Sequence, residues 1–169
     1  KTHADLVNRL LPGCNFARYM ADGTPYDDAA AYDDDAGHGT QVSGIIAAEY
    51  NNAIGISGVA GPAPVKLLPV KVLNDAAYGT VFDLANGIRY AADQDSNSLT
   101  LANAIRYAQD KGAVIVAAFG EHWERIYPGA YPGVVTVGSV DKNLEGQDGD
   151  DHLDLVAPGR DVKTTGLNS

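Results

Sequence analysis

The sequence predicts an α/β fold with a mainly parallel sheet, on three observations. Short β-branched apolar runs are bounded by Gly or Pro, apolar residues recur at helical spacing between them, and the runs are near-continuous rather than alternating. Near-continuous apolar strands suit a parallel sheet covered on both faces, whereas a sheet with one wet face alternates.

Four segments carry the strand signal. Val65 to Leu73, Ala113 to Phe119 and Val134 to Val140 are the strong ones, and Leu153 to Ala157 is weaker, stopped by Pro158 and Gly159. Pro69 lies inside the first run and has no N–H for a ladder, which predicts an edge position or a bulge. Three helices follow from periodicity. His38 to Glu49 places Val42, Ile45, Ile46 and Glu49 on one side with Gly39, Ser43, Gly44 and Ala47 between them. Each interior glycine costs a helix about 1 kcal/mol against alanine, so close backbone packing is expected to offset it. Val81 to Asp93 carries Val81, Leu84, Ile88 and Ala91, and Leu99 to Lys111 carries Leu101, Ala102, Ile105 and Ala108, with Gly112 as the expected C-cap.

The last two helices nearly repeat: Leu84-Ala85-Asn86-Gly87-Ile88-Arg89-Tyr90-Ala91 matches Leu101-Ala102-Asn103-Ala104-Ile105-Arg106-Tyr107-Ala108. One pair is too few for a solenoid, so two helices with a common buried stripe is the plainer expectation. A parallel sheet normally returns through a strand between successive helices. Only polar Gln94 to Ser98 separate these two. Either both helices lie on one face, or a strand is missing.

Composition narrows the function classes. The chain has 169 residues, enough for one ordinary domain, with 45% hydrophobic and 20% charged residues. Lys plus Arg is 12 and Asp plus Glu is 22, a formal charge of −10. That balance repels a phosphate backbone and an anionic bilayer, so neither nucleic acid nor membrane is an expected partner. No apolar stretch approaches the roughly 20 residues of a membrane span, and Lys1 to Arg9 hold no apolar region of a signal peptide. Cys14 stands alone, so no internal disulfide can form.

The segment with chemistry is Gly37-His38-Gly39-Thr40, continuing Gln41-Val42-Ser43-Gly44-Ile45-Ile46-Ala47. A histidine between glycines at a helix start has open backbone on both sides. The positive end of the helix favours the neutral imidazole that a general base requires. The plainer alternative is a histidine that packs or caps a helix end.

This segment resembles the His-Gly-Thr-x-Val-x-Gly-x-x-Ala motif of the subtilisin-like serine proteases. Other stretches are similar to further elements in the family's order. They are Thr2-His3-Ala4-Asp5-Leu6 (with Ala4 for the usual Pro), Asn51 to Ala60, Val65 to Leu73, Ala113 to Gly120, Tyr127 to Val134, and Leu155 to Gly159. The resemblance implies a subtilisin-like three-layer fold with a mainly parallel sheet and strands missing, residues 1–169 being a single partial peptidase domain. It implies serine endopeptidase chemistry by acyl transfer with His38 as the base, acting on a polypeptide substrate or inhibitor, in a monomeric extracellular protein.

The same resemblance implies a structural calcium ion, with side-chain oxygens from Asp5 and Asn52 and carbonyls from Tyr50, Ile54 and Ile56. The oxyanion region maps to Gly120 and Glu121, where the family has a side-chain amide; an ionised carboxylate has no proton to donate there. The family's orienting Asp would precede Thr2-His3, and its Gly-Thr-Ser nucleophile stretch would follow Ser169. Ser169 lacks that prefix and is not expected to be the nucleophile. The chain as given is therefore expected to be incomplete or inactive alone, and the alternative is a non-catalytic calcium-binding pseudoprotease scaffold. A metal-dependent hydrolase built on His3, His38 and the Asp33-Asp34-Asp35 run lacks a helical His-x-x-x-His pair. Asp27-Asp28 and Asp33 to Asp35 are expected to be solvated acidic surface rather than a second ion site. Asp34 falls where the family places an Asp near its substrate cleft.

Overall fold

The computed structural model describes residues 2–26, 29, 31–92, 101–120, 127–146 and 152–167. Among them the order is β1 (Cys14–Asn15), α1 (His38–Ala47), β2 (Val70–Lys71), α2 (Val81–Ala92), α3 (Leu101–Asp110), β3 (Ile115–Ala118), β4 (Val134–Val140) and β5 (Leu155–Pro158). Every strand pair is parallel, as expected. The contacts divide the chain into one unit of Lys1–Gly87 with Lys163–Ser169 and another of Ile88–Val162.

In the first unit β1 pairs with β2 through Cys14↔Val70 and Asn15↔Lys71, extended by a bridge between Leu10 and Leu67. The run from Val65 to Leu73 therefore yields only two residues of strand. Pro69 is the reason: without an N–H it contributes only its carbonyl, which accepts from the Cys14 amide at 3.1 Å. Arg9 ties the connection down, donating to the carbonyls of Ala63 at 2.6 Å and Gly61 at 2.8 Å. α1 ends two residues before the expected Glu49. Ala48 leaves the helical region (ψ 144°), and the Glu49 amide turns to the Asp5 carbonyl at 2.9 Å.

α2 opens on a reciprocal cap. The Thr80 hydroxyl donates to the Asp83 carboxylate at 2.6 Å and accepts from the Asp83 amide at 3.1 Å. Arg18 lies 3.5 Å from the same carboxylate. Gly87 faces the Val70 and Val72 side chains so closely that a Cβ there would collide.

In the second unit the sheet order is β3-β4-β5. β4 is the central strand, with Val134, Thr136, Gly138 and Val140 buried. α3 packs on β3 and buries Leu101, Ala104, Ile105 and Ala108. It ends as expected at Gly112 (φ +85°), where the Gly112 amide reaches the Gln109 carbonyl and the Ala113 amide that of Ala108. Thr136 holds a loop to the sheet, its buried hydroxyl donating to the Gly129 carbonyl at 3.1 Å.

Two expectations are corrected here. β3 alternates half-buried and exposed residues, with Val114 and Val116 79% and 62% exposed, and all of β5 is exposed. Among the described residues of this sheet β4, the central strand, is the best covered, with one face buried and the other half-buried at Val135 and Val137 and exposed at Ser139. The near-repeat helices also do not share a stripe. Arg89 is buried where Arg106 is exposed, and Ala108 is buried where Ala91 is exposed. The close fit of Gly87 against Val70 and Val72 fixes which side of α2 turns inward, whereas α3 buries Leu101, Ala104, Ile105 and Ala108. The polar linker Gln94 to Ser98 lies outside the described residues, and no strand stands between α2 and α3 among those described.

Candidate functional site

His38 is the first residue of α1 and its side chain is exposed, as a proton-transferring imidazole requires. Gly37 caps the helix in the left-handed conformation (φ +91°), which glycine adopts without steric cost, and it has no side chain with which to cap. The capping acceptor comes instead from Asp34. Its Oδ2 accepts from the Thr40 amide at 2.7 Å, and its Oδ1 from the amides of Gly37 at 2.8 Å and Ala36 at 3.2 Å. Partial burial pushes the Asp34 pKa up, but hydrogen bonds from Thr40 and the Gly37 and Ala36 amides outweigh it. The net shift is downward.

From the opposite side of the sequence the segment 163–167 closes on the same helix. The Thr165 hydroxyl donates to the Thr40 carbonyl at 2.7 Å and that of Thr164 to the Gln41 carbonyl at 2.5 Å. Thr165 is buried against Gly44. The other end of α1 meets Gly58, whose position admits no Cβ beside the Ala47 and Ala48 backbone. The small residues that weakened the helix on propensity are thus where other backbone and side chains approach.

The expected solvated run is corrected in part. Asp35 accepts from the Lys71 ammonium at 2.9 Å and from the Tyr26 hydroxyl at 3.2 Å, and Lys71 also donates to the Asp33 carbonyl. Asp34 and Asp35 are structural in two different ways, one holding a helix end and the other holding the loop to β2. Asp27 and Asp28 lie outside the described residues.

Asp5 is fully buried. Its Oδ1 accepts from the Asn52 side-chain amide at 2.8 Å and its Oδ2 from the Ile56 amide at 3.0 Å. Asn52 Oδ1 accepts from the Ile54 amide at 3.1 Å. Asn51, Ala53 and Gly55 all have positive φ, which curls 51–56 around the carboxylate. Hydrogen bonds from the Asn52 side chain and the Ile54 and Ile56 amides join Asn52, Ile54 and Ile56 to Asp5 and to one another, while Tyr50 is exposed. The described bonds to Asp5 all come from neutral N–H groups. Amide nitrogens of Asn52 and Ile56, rather than oxygens, face the buried carboxylate, and their dipoles offset part of the cost of burying it. Among the described residues no cluster of three or more His, Cys, Asp or Glu forms a metal site, so any ion here would depend on amide and carbonyl oxygens.

Gly120 follows β3 in the second unit with φ +92°, while Glu121 lies outside the described residues. The loop before β4 contains the cis Tyr127–Pro128 bond and the Tyr127 and Tyr131 rings in tilted contact, 4.6 Å between centroids. Thr164, Thr165 and the capping role of Asp34 were missed from sequence. For Asp34 the signal is present, an Asp three residues before the glycine at the helix cap. For the threonines there was none.

The subtilase family model matches residues 1–169. The chain is 36% identical to the thermophilic serine proteinase of Bacillus sp. (strain AK1), over 97% of this chain and 42% of that protein. It is 34% identical to thermitase of Thermoactinomyces vulgaris, over 96% and 60% respectively. Among solved structures it superposes on a protease of Pseudoalteromonas arctica PAMC 21717 with TM-score 0.76 and 30% identity, covering 94% of this chain and 60% of that one. The chain thus spans about two fifths to three fifths of these relatives. Matched along its whole length and folded as its solved relatives are, with the glycine-bracketed histidine heading the same kind of helix the motif predicts, the chain belongs to the subtilase family.

Proposed function

We propose that the protein is a serine endopeptidase that cleaves peptide bonds by acyl transfer, with His38 as general base and acid. One observation carries the reading: an exposed histidine at the first position of α1, with the Gly37 and Thr40 amides on either side held by the Asp34 carboxylate, in a chain of the subtilase family. In this chemistry the imidazole takes the proton of an attacking serine hydroxyl and returns it to the leaving amine. What these residues contribute is a solvent-facing base on an anchored stretch of backbone.

A calcium ion held by Asp5 and Asn52, with carbonyls of Tyr50, Ile54 and Ile56, would set a positive charge against the buried carboxylate and stiffen the 51–56 loop. Secretion to an oxidising, calcium-rich exterior accords with that dependence. The second reading is a calcium-stabilised scaffold without catalysis, and the buried Asp5 site favours it equally.

The test is labelling by a serine-reactive phosphonate together with hydrolysis of a casein substrate. Labelling and turnover that vanish in His38→Ala support the peptidase. An intact, folded protein that is neither labelled nor active sinks it and leaves the scaffold.

A further inference from the structure

We propose that Asp34 is the positioning residue for His38: its carboxylate replaces the missing cap of α1 and fixes the backbone on both sides of the imidazole-bearing residue. The proposal rests on the peptidase reading for its meaning in catalysis, but the geometry is independent of it.

His38 stands between Gly37 and Gly39, residues that lose more conformational freedom on ordering than any other. A helix start is ordinarily held by a Ser, Thr, Asp or Asn at the capping position, whose oxygen accepts from the amide two or three residues on. Here that position is Gly37 and makes no side-chain cap. Three amides in the stretch 36–40 converge instead on Asp34. Those of Ala36 and Gly37 precede His38, and that of Thr40 follows it. Asp34 Oδ2 lies 3.5 Å from where a Cβ of Gly39 would stand, so the carboxylate sits directly beneath the turn that bears the imidazole. A negative charge there also complements the positive end of the helix. The neighbouring Asp35 cannot substitute, because Lys71 and Tyr26 hold it against β2.

The arrangement divides two demands between two residues. Glycine at the cap takes the left-handed conformation from which the helix starts, and an aspartate three residues upstream supplies the rigidity that glycine removes. Misplacing a catalytic group by about 1 Å can cost on the order of 100-fold in rate, so a lost anchor would be felt in turnover before it was felt in binding.

The experiment compares the protein with Asp34→Ala and Asp34→Asn by amide hydrogen exchange, by NMR of the His38 ring, and by steady-state hydrolysis of a peptide p-nitroanilide. In Asp34→Ala the amides of Gly37 and Thr40 should exchange at least about tenfold faster and the His38 ring resonances should move. On the positioning argument kcat should fall roughly 10- to 100-fold with KM within about twofold. Asp34→Asn retains one acceptor oxygen and should recover part of each effect; it also serves if the alanine variant fails to fold. Unchanged exchange at Thr40 together with unmoved His38 resonances in either variant overturns the proposal, as does a loss confined to KM. If the unsubstituted protein does not hydrolyse the substrate, the peptidase reading fails, while the exchange and ring measurements still decide the role of Asp34.

Discussion

Thr165 fills the space over Gly44 that a side chain on α1 would otherwise occupy, and its hydroxyl donates to the Thr40 carbonyl at 2.7 Å. The two residues are 121 positions apart in sequence, and their fit fixes the helix that carries His38. Gly44 is thus a helix glycine with a packing reason.

Replacing Gly44 with alanine tests that fit, because propensity and packing give opposite signs. In an exposed helix the change would stabilise by about 1 kcal/mol. Here the added methyl collides with Thr165, and overpacking of this kind costs about 1–3 kcal/mol. A lowered urea midpoint is expected for Gly44→Ala, with a cost in Gly44→Ala/Thr165→Ala smaller than the sum of the two singles.

Asp5 should govern both stability and response to calcium. Asp5→Ala leaves the half-buried Asn52 amide and Ile56 N–H without their acceptor, at a cost of about 2 kcal/mol. Thermal melting with and without calcium checks the ion. The unsubstituted protein should gain in Tm with calcium and lose the gain to a chelator, and Asp5→Asn should respond to neither.

Acid should loosen the start of α1 through Asp34. Its folded pKa lies below the ordinary aspartate value, so the ionised form is favoured by folding. That stabilisation is complete above about pH 4, the unfolded value, and is lost as pH falls through the folded pKa. Denaturation followed from pH 6 to pH 2 should therefore show a steeper loss for the unsubstituted protein than for Asp34→Asn, with the two curves converging at the acid end.

The look-alike helices should respond differently to equivalent changes. Ile105 is 2% exposed and Ile105→Ala should cost about 3 kcal/mol, while the half-buried Ile88 should cost less. Arg106→Ala on the exposed face should fall within about 0.5 kcal/mol of zero. Arg89→Ala should exceed that, since Arg89 is buried and its guanidinium lies 5.9 Å from the Tyr107 ring centre. Chemical denaturation of the four variants reads the order directly.

The amino-acid order by itself determined the parallel α/β class, the bounds of β4, the glycine end of α3 and the histidine at the head of α1. Those features rest on local rules of periodicity, turn chemistry and capping, or on a motif whose parts lie close together. The Thr80–Asp83 cap belongs with them, since a Thr followed three residues later by an Asp is a local signal. Tertiary structure decided the rest. It cut the Val65 to Leu73 run to two residues of strand, because a proline amide cannot extend the ladder. It turned two nearly identical helices to different faces, because burial depends on what each meets. It made Thr165 a clamp on Gly44, because a contact across so long a stretch of chain leaves no periodic trace in the sequence and exists only once backbone from both ends has been packed together.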